Sequence, residues 1–98
     1  MRIRFEPEAG EELAEATAYF AEQSAQTAER FLADVARAES MLLQYPHAAP
    51  PIRGNFRRLM LSIFPYQLVY RALSDEIRVY AVAHLKKKPG YWRKRVSR

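Results

Sequence analysis

The chain has 98 residues and a mass of 11.4 kDa, the size of one compact domain, so we expect a single domain over residues 1–98. Hydrophobic residues make up 49% of the chain, which excludes intrinsic disorder over most of it. Cysteine is absent, which excludes disulfides, thiolate metal sites and a catalytic thiol. The sequence shows no signal peptide and no apolar run near the ~20 residues that span a bilayer. We therefore expect a cytoplasmic protein without a membrane anchor.

The charge is distributed unevenly along the chain. Residues 1–50 contain four arginines against nine acidic residues, a net charge of −5. Residues 51–98 contain twelve basic residues against two acidic ones, a net charge of +10. A strongly basic surface attracts nucleic acid or an acidic protein, so the charge predicts a partner from one of these two classes.

The first half of the chain predicts a strand followed by a helical hairpin. Residues 2–5 alternate with the period of a strand, and Pro7 suits the first turn of a helix. The apolar stripe of this helix has helical spacing and leaves an acidic outer face; it consists of Ala9, Leu13, Ala16 and Phe20. Residues 23–27 offer caps for a second helix, which should end near Tyr45 because a proline follows.

The second half predicts an antiparallel sheet. Residues 47–54 are expected to form a loop, and from residue 55 the apolar period changes to two. Turns at Phe64-Pro65 and at residues 74–76 divide this region into three strands. The predicted fold class is α+β: an N-terminal strand, a helical hairpin, a three-stranded antiparallel meander and a short C-terminal tail or helix.

Alternation assigns the strand residues to two faces. The residues predicted to pack against the helices are Leu59, Leu61, Ile63, Leu68, Tyr70, Ile77, Val79 and Ala81. The opposite face then carries Arg58, Met60, Ser62, Gln67, Val69, Arg71, Arg78, Tyr80, Val82 and His84. No helix is left to cover this second face, and its mixture of basic and apolar side chains predicts a binding surface.

Residues that could carry chemistry are few. The two histidines, His47 and His84, are 37 positions apart without a paired motif, so no metal and no cofactor are predicted. The three glycines stand alone, which excludes a glycine-rich phosphate loop. A triad of Ser62, His84 and Asp75 can be assembled on paper, but almost any chain of this length allows one.

A metal-independent ribonuclease is the stronger catalytic hypothesis. It requires a base, a cation for the developing negative charge and an acid for the leaving oxygen. Suitable groups occur at Arg58, Arg71, Arg78, His84 and Tyr91. Spacing alone favours the simpler interpretation, in which the arginines are solvated strand residues and His84 ends a strand.

The C-terminal segment combines basic and aromatic residues. Tyr91 and Trp92 could stack on nucleic-acid bases, together with the lysines of residues 86–88. The favoured alternative is that both rings pack onto the edge of the sheet and leave Arg93, Lys94 and Arg95 outside.

Three segments resemble a known family. They are Arg-Arg-Leu-Met-Leu at residues 57–61, Phe-Pro-Tyr-Gln-Leu-Val-Tyr-Arg at residues 64–71, and the stretch from His84 to Tyr91-Trp92. With the preceding strand and helical hairpin, the chain resembles the RelE/ParE toxins of bacterial type II toxin–antitoxin systems over essentially its whole length. The resemblance implies a small plasmid-stabilisation-type toxin that stops bacterial growth. It also implies a cognate acidic antitoxin that wraps the toxin in a hetero-oligomer.

The resemblance leaves two targets. RelE-like members cut mRNA in the ribosome, whereas ParE-like members inhibit DNA gyrase. The nucleases that this chain resembles carry an arginine immediately before Leu-Val-Tyr, where this chain has Gln67. Removing a comparable electrostatic donor from a catalytic site raises the activation free energy by ~2–4 kcal/mol. The ParE-like, non-nucleolytic mode is therefore favoured.

Two alternatives remain at this point. The first is a ribosome-dependent mRNA endoribonuclease in which His84, Tyr91 and Arg71 are the catalytic residues. The second is a degenerate, non-toxic member that only binds an antitoxin-like partner. In every case an acidic antitoxin segment is expected on the second face, where it would fold as it binds. The residues expected to bind antitoxin or target are Arg58, Gln67, Arg71, Arg78, Tyr80, His84, Lys86, Lys87 and Arg93.

Overall fold

The computed structural model describes residues 1–96 and has the α+β architecture that the sequence predicts. Its elements are β1 (Arg2–Phe5), α1 (Pro7–Gln23), α2 (Ala25–Gln44), β2 (Pro51–Arg53), β3 (Phe56–Met60), β4 (Tyr66–Ala72), β5 (Glu76–His84) and α3 (Arg93–Val96). The strands form one sheet in the order β1-β5-β4-β3-β2, in which β1 runs parallel to β5 and the other pairs are antiparallel. The predicted helical hairpin and meander are both confirmed. No helix within the described residues is long and apolar enough to cross a membrane.

The helical hairpin turns at Ser24. This residue ends α1 and caps α2, where its hydroxyl oxygen accepts a hydrogen bond from the Thr27 N–H at 3.0 Å. Both helices pack on one face of the sheet, and the predicted stripe of α1 faces it, with Ala9 and Ala16 buried. The hairpin therefore covers only one of the two sheet faces.

Aromatic rings fill the end of the core where the helices meet β4. The ring centroid of Phe20 lies 4.9 Å from that of Phe64 and 5.0 Å from that of Phe31. The ring centroid of Phe31 lies 5.2 Å from that of Tyr66. These tilted and edge-to-face arrangements are the favoured geometries for aromatic pairs. They fix the hairpin against the sheet at the C-terminal end of α1.

The segment predicted as a loop over residues 47–54 contains a short edge strand. Residues 51–53 form β2, which pairs with β3. A proline is tolerated in this strand because it lies at the edge of the sheet. Arg57 secures the preceding loop by donating hydrogen bonds to the carbonyl oxygens of His47 at 3.0 Å and Ala49 at 2.7 Å.

The strand predicted to run through Ile63 ends at Met60 instead. The cause is the buried carboxylate of Asp34 on α2, which accepts the N–H groups of Ser62, Ile63 and Phe64 at 3.2, 2.9 and 2.8 Å. These bonds fix the backbone in a turn, so the prediction that Ile63 is buried was wrong, and the residue is 57% exposed.

A β-bulge changes the alternation of β5. The pairing passes from Val69 opposite Ala81 to Tyr70 opposite Val79, which leaves Tyr80 as an extra residue. Residues before the bulge lie on the predicted faces; Ile77 and Val79, for example, pack in the main core against the helices. Residues after the bulge point to the face opposite to the predicted one.

Three assignments were wrong for this reason. Ala81, predicted to face the helices, packs with Val69 and Trp92 on the other face. Val82, predicted on the other face, lies in the main core. His84 also lies on the side of the helices, where its ring centroid is 5.2 Å from that of Tyr66.

The second face of the sheet is not left open. The chain reverses at Gly90, whose φ of +77° favours glycine, and the following segment folds back over the sheet. Trp92 is 4% exposed and packs on Val69 and Ala81, with Phe56 at the margin. The predicted packing of Trp92 onto the sheet is confirmed, and the expectation that this whole face is uncovered was wrong.

Candidate functional site

The C-terminal segment is joined to α1 through a group that we call the C-terminal clamp, formed by Glu12, Tyr91 and Arg95. Oε2 of Glu12 accepts hydrogen bonds from the Tyr91 hydroxyl at 2.5 Å and from Nη2 of Arg95 at 2.9 Å. Oε1 accepts from Nη1 of Arg95 at 2.8 Å and from the Val82 N–H at 3.0 Å. All four bonds converge on one carboxylate.

The contacts of the clamp shift the pKa values of Glu12 and Tyr91. Burial alone would raise the pKa of Glu12, but the hydrogen bonds from Arg95, Tyr91 and the Val82 N–H outweigh burial and lower it. Burial and the hydrogen bond to Glu12 raise the pKa of Tyr91 far above its ordinary value. The Tyr91 hydroxyl is therefore a protonated donor that is committed to Glu12.

Sequence reasoning missed the role of Glu12 and misplaced Arg95. Glu12 was counted with the acidic outer face of the helix, although it lies three residues after Ala9 and four before Ala16. That spacing places it on the edge of the inward stripe and could have signalled a buried partner. Arg95 was expected outside, but its side chain is only 17% exposed.

Most of the predicted functional residues line three of the clefts in the described part of the chain. The first cleft has a volume of about 650 Å³; its lining includes Arg71, Arg78, Tyr80, Arg95, Glu6 and Glu11. The second cleft, of about 220 Å³, is lined by His84, Lys87 and Glu12 together with Glu15, Ala16, Tyr19, Tyr66 and Val82. The third cleft, of about 250 Å³, is lined by Arg58, Gln67 and Arg93 together with Ile52, Arg53, Val69, Pro89, Gly90 and Trp92.

In the first cleft, Arg71 is held between two rings. Its Cζ atom lies 4.9 Å from the centroid of Phe56 and 5.0 Å from that of Tyr80. Its Nε and Nη2 atoms both donate to the Tyr80 hydroxyl oxygen. The guanidinium is thus fixed in place by aromatic contacts.

The neighbouring Arg78 is paired with carboxylates. Its Nη2 atom lies 2.8 Å from Oε2 of Glu76, and its Nε atom lies 3.6 Å from Oε1 of Glu6. Arg78, followed by Arg4, lowers the pKa of Glu76. The charge of Arg78 is therefore largely compensated within the chain.

In the second cleft, His84 is held by local contacts. Its Nδ1 atom accepts a hydrogen bond from the Lys86 N–H at 3.0 Å, and its ring packs on Tyr66. Lys86 itself is exposed in the turn that follows β5, and Nζ of Lys87 lies 5.2 Å from the Tyr91 ring centroid.

Arg71 and His84 are not brought together, and the hydroxyl of Tyr91 is committed to Glu12, which lines the same cleft as His84. Arg71 lies on the face that Trp92 covers, His84 lies on the face of the helices, and Tyr91 is bonded to Glu12. Within residues 1–96, no group of three or more histidine, aspartate or glutamate side chains is arranged to hold a metal ion.

Comparisons with known proteins agree with this architecture. The family model described as "ParE toxin of type II toxin-antitoxin system, parDE" matches residues 3–89. A solved structure of the chromosomal ParDE TA system from P. aeruginosa contains a chain of similar fold, with a TM-score of 0.72 and 17% sequence identity. That alignment covers 86% of this chain and 95% of the other. No curated protein matches the sequence significantly.

The family match spans most of the chain, including the helical hairpin, the meander and the beginning of the C-terminal segment. Membership of a toxin–antitoxin system implies an antitoxin as partner. The chain belongs to the ParE toxin family of type II toxin–antitoxin systems.

Proposed function

We propose that this chain is a toxin that stops bacterial growth by a non-nucleolytic action on DNA gyrase in the cytoplasm, and that a cognate acidic antitoxin neutralises it. The observation that carries the proposal is that Arg71 and His84 lie on opposite faces of the sheet, while the hydroxyl of Tyr91 is bonded to Glu12. RNA cleavage through the 2′-hydroxyl requires a base, a cation and an acid around one phosphate.

Each of the three groups is also unsuited to that task individually. The hydroxyl of Tyr91 has a raised pKa and is bonded to Glu12, so it cannot readily give up its proton. Arg71 already donates two hydrogen bonds to Tyr80. Gln67 carries no charge that could stabilise a transition state. These features support an action through binding rather than through RNA cleavage.

The antitoxin part of the proposal rests on charge. Residues 51–98 carry a net charge of +10, and several of these cations are exposed, including Lys86 and Lys88. An acidic segment would neutralise this surface and would associate rapidly at low ionic strength. Since the second face is occupied by the C-terminal segment, we propose that the antitoxin contacts its rim and the turn at residues 85–88.

The test is induced expression of the chain in a bacterial host, with and without the short acidic protein encoded beside it. We expect growth arrest, relaxed plasmid DNA, an induced DNA-damage response and intact transcripts, all reversed by the acidic protein. Cuts at ribosomal A-site codons in primer extension would overturn the gyrase proposal in favour of the endoribonuclease. Normal growth with a stable complex would overturn the proposed toxicity and favour a member that only binds its partner.

A further inference from the structure

The third cleft, between the edge of the sheet and the C-terminal segment, combines three arginines with an amide oxygen that has no hydrogen-bond partner among the described residues. Arg53 comes from β2, Arg58 from β3, and Arg93 begins α3. We infer that this cleft binds a phosphate group, carried either by a nucleotide or by a strand of nucleic acid. The inference does not depend on gyrase being the target.

The first observation is that these three cations are uncompensated. Within residues 1–96, Arg53, Arg58 and Arg93 take part in none of the ion pairs. Arg78 and Arg95 differ from them, because each is paired with a carboxylate. Three like charges that line one cleft repel each other, and a bound anion would relieve that repulsion.

The second observation concerns Gln67, which lies on β4 at the same cleft. Its Oε1 atom is buried and has no hydrogen-bond partner among the described residues. A buried polar atom without a partner costs about 1–3 kcal/mol, so such atoms commonly mark a place for a ligand or a water molecule. A sugar hydroxyl or a protonated phosphate oxygen would satisfy it, and rotation of the amide by 180° would instead direct its N–H groups at an anion.

Three guanidinium groups favour phosphate over carboxylate. A carboxylate has two oxygens and is satisfied by one planar guanidinium fork. A phosphate offers more oxygens in a tetrahedral arrangement, so donors from three directions can reach it at once. Arg53, Arg58 and Arg93 come from three separate elements, which matches the larger anion.

The rest of the lining suits what is attached to the phosphate. Trp92, Ile52 and Pro89 contribute apolar surface to the same cleft. Apolar walls with a few convergent polar groups are typical of small-molecule sites. The volume of about 250 Å³ gives room for a phosphate with part of its sugar or base.

The fluorescence of Trp92 can report binding in this cleft, because Trp92 lines it and is the only tryptophan in the chain. The purified protein is titrated with inorganic phosphate, thymidine 5′-monophosphate, a short single-stranded DNA and hexaglutamate, while tryptophan fluorescence is followed. The double variant Arg53→Gln/Arg58→Gln removes two of the three cations. Arg30→Gln, an exposed position on α2, is the matched control for a lost arginine.

We expect a saturable fluorescence change with the phosphate probes, weakened about tenfold or more in the double variant and less than twofold in Arg30→Gln. Saturation with thymidine monophosphate, competed by inorganic phosphate, identifies a nucleotide site. Tighter binding of DNA than of the mononucleotide, with a steep salt dependence, identifies a nucleic-acid strand as the source.

Three results would overturn the inference: no response to any phosphate probe, equal weakening in the double variant and in Arg30→Gln, or a response to hexaglutamate alone. The last result would identify the cleft as a contact for an acidic protein. Within residues 1–96, neither Arg53 nor Arg58 makes an ion pair, so the double variant is expected to unfold at the same urea concentration as the unsubstituted chain.

Discussion

The hydroxyl of Tyr91 donates a hydrogen bond to Oε2 of Glu12 at 2.5 Å and thereby joins α1 to a segment 79 residues further along the chain. The same carboxylate binds Arg95 through two further bonds. A tyrosine considered as a catalytic residue on sequence grounds is therefore a structural donor here. The C-terminal segment is held over the sheet by this carboxylate as well as by the apolar contacts of Trp92.

Replacing Glu12 by Gln tests the clamp. The amide retains an acceptor oxygen but loses the charge that binds Arg95, so we expect the free energy of unfolding to fall by about 1–3 kcal/mol. Glu15→Gln, an exposed change one turn away on α1, is the control and should alter it by less than about 0.5 kcal/mol. Urea unfolding followed by Trp92 fluorescence measures both variants. Equal effects of the two changes would show that the clamp contributes nothing.

The pH dependence of stability follows from lowered carboxylate pKa values. Burial would raise the pKa values of Glu12 and Asp34, but hydrogen bonds outweigh it and hold both values below their ordinary range in the folded chain. The hydrogen bond from Arg78 lowers the pKa of Glu76. The unfolded chain then binds protons more readily, so these groups contribute full stability above about pH 4.5. That contribution is lost as the pH falls through the lowered values. Burial raises the pKa of Glu39, which acts in the opposite direction.

We therefore expect the urea midpoint to decline between about pH 4.5 and pH 3. The decline should be shallower in Glu12→Gln, which no longer has a proton to gain at that position. A midpoint that rises on acidification, or an identical slope in the variant, would contradict this assignment.

Asp34→Asn tests how the turn after β3 is held. The aspartate accepts three backbone N–H groups, whereas an asparagine presents one acceptor oxygen and directs N–H groups at the remaining donors. We expect a loss of about 2–3 kcal/mol in the free energy of unfolding. Arg37→Gln removes only the 3.3 Å ion pair to Asp34 from a half-exposed side chain and should cost less than about 1 kcal/mol. The reverse order of the two effects would rule out the backbone bonds as the main contribution.

His84→Ala distinguishes a binding toxin from a nuclease. His84 lies on the side of the helices beside Tyr66, away from Arg71. We expect the variant to retain growth arrest with at most a severalfold loss of potency, because one contact among many is removed. The catalytic alternative requires its activity to be abolished. Growth curves at matched expression levels measure the difference, and an inactive but folded variant would contradict the proposed mode.

The sequence predicts the helices and strands of this fold better than it predicts which face of the sheet each strand residue occupies. Pro7, Ser24 and the regular spacing of Ala9 and Ala16 act locally, so the helical hairpin follows from short-range rules. The bulge at Tyr80 inserts one residue into the alternation, and no local signal in the sequence marks it. Every face assigned beyond that point was reversed for this reason.

Hydrogen-bond patterns between distant parts of the chain could not be predicted from the sequence pattern either. Asp34 binds residues about 30 positions away, and Glu12 binds a segment about 80 positions away. Charge patterns identify such residues as acidic, but their partners become evident only when the elements are assembled. The basic residues of the candidate site were predicted as one surface, and the structure distributes most of them over three clefts and leaves Lys86 in an exposed turn.

The most direct test of the central claim is the supercoiling of relaxed plasmid DNA by purified gyrase in the presence of this chain. The proposed function predicts inhibition that rises with the concentration of the chain and is abolished by prior addition of its acidic partner. Undiminished gyrase activity at a concentration of the chain that cleaves mRNA on purified ribosomes would contradict the proposal.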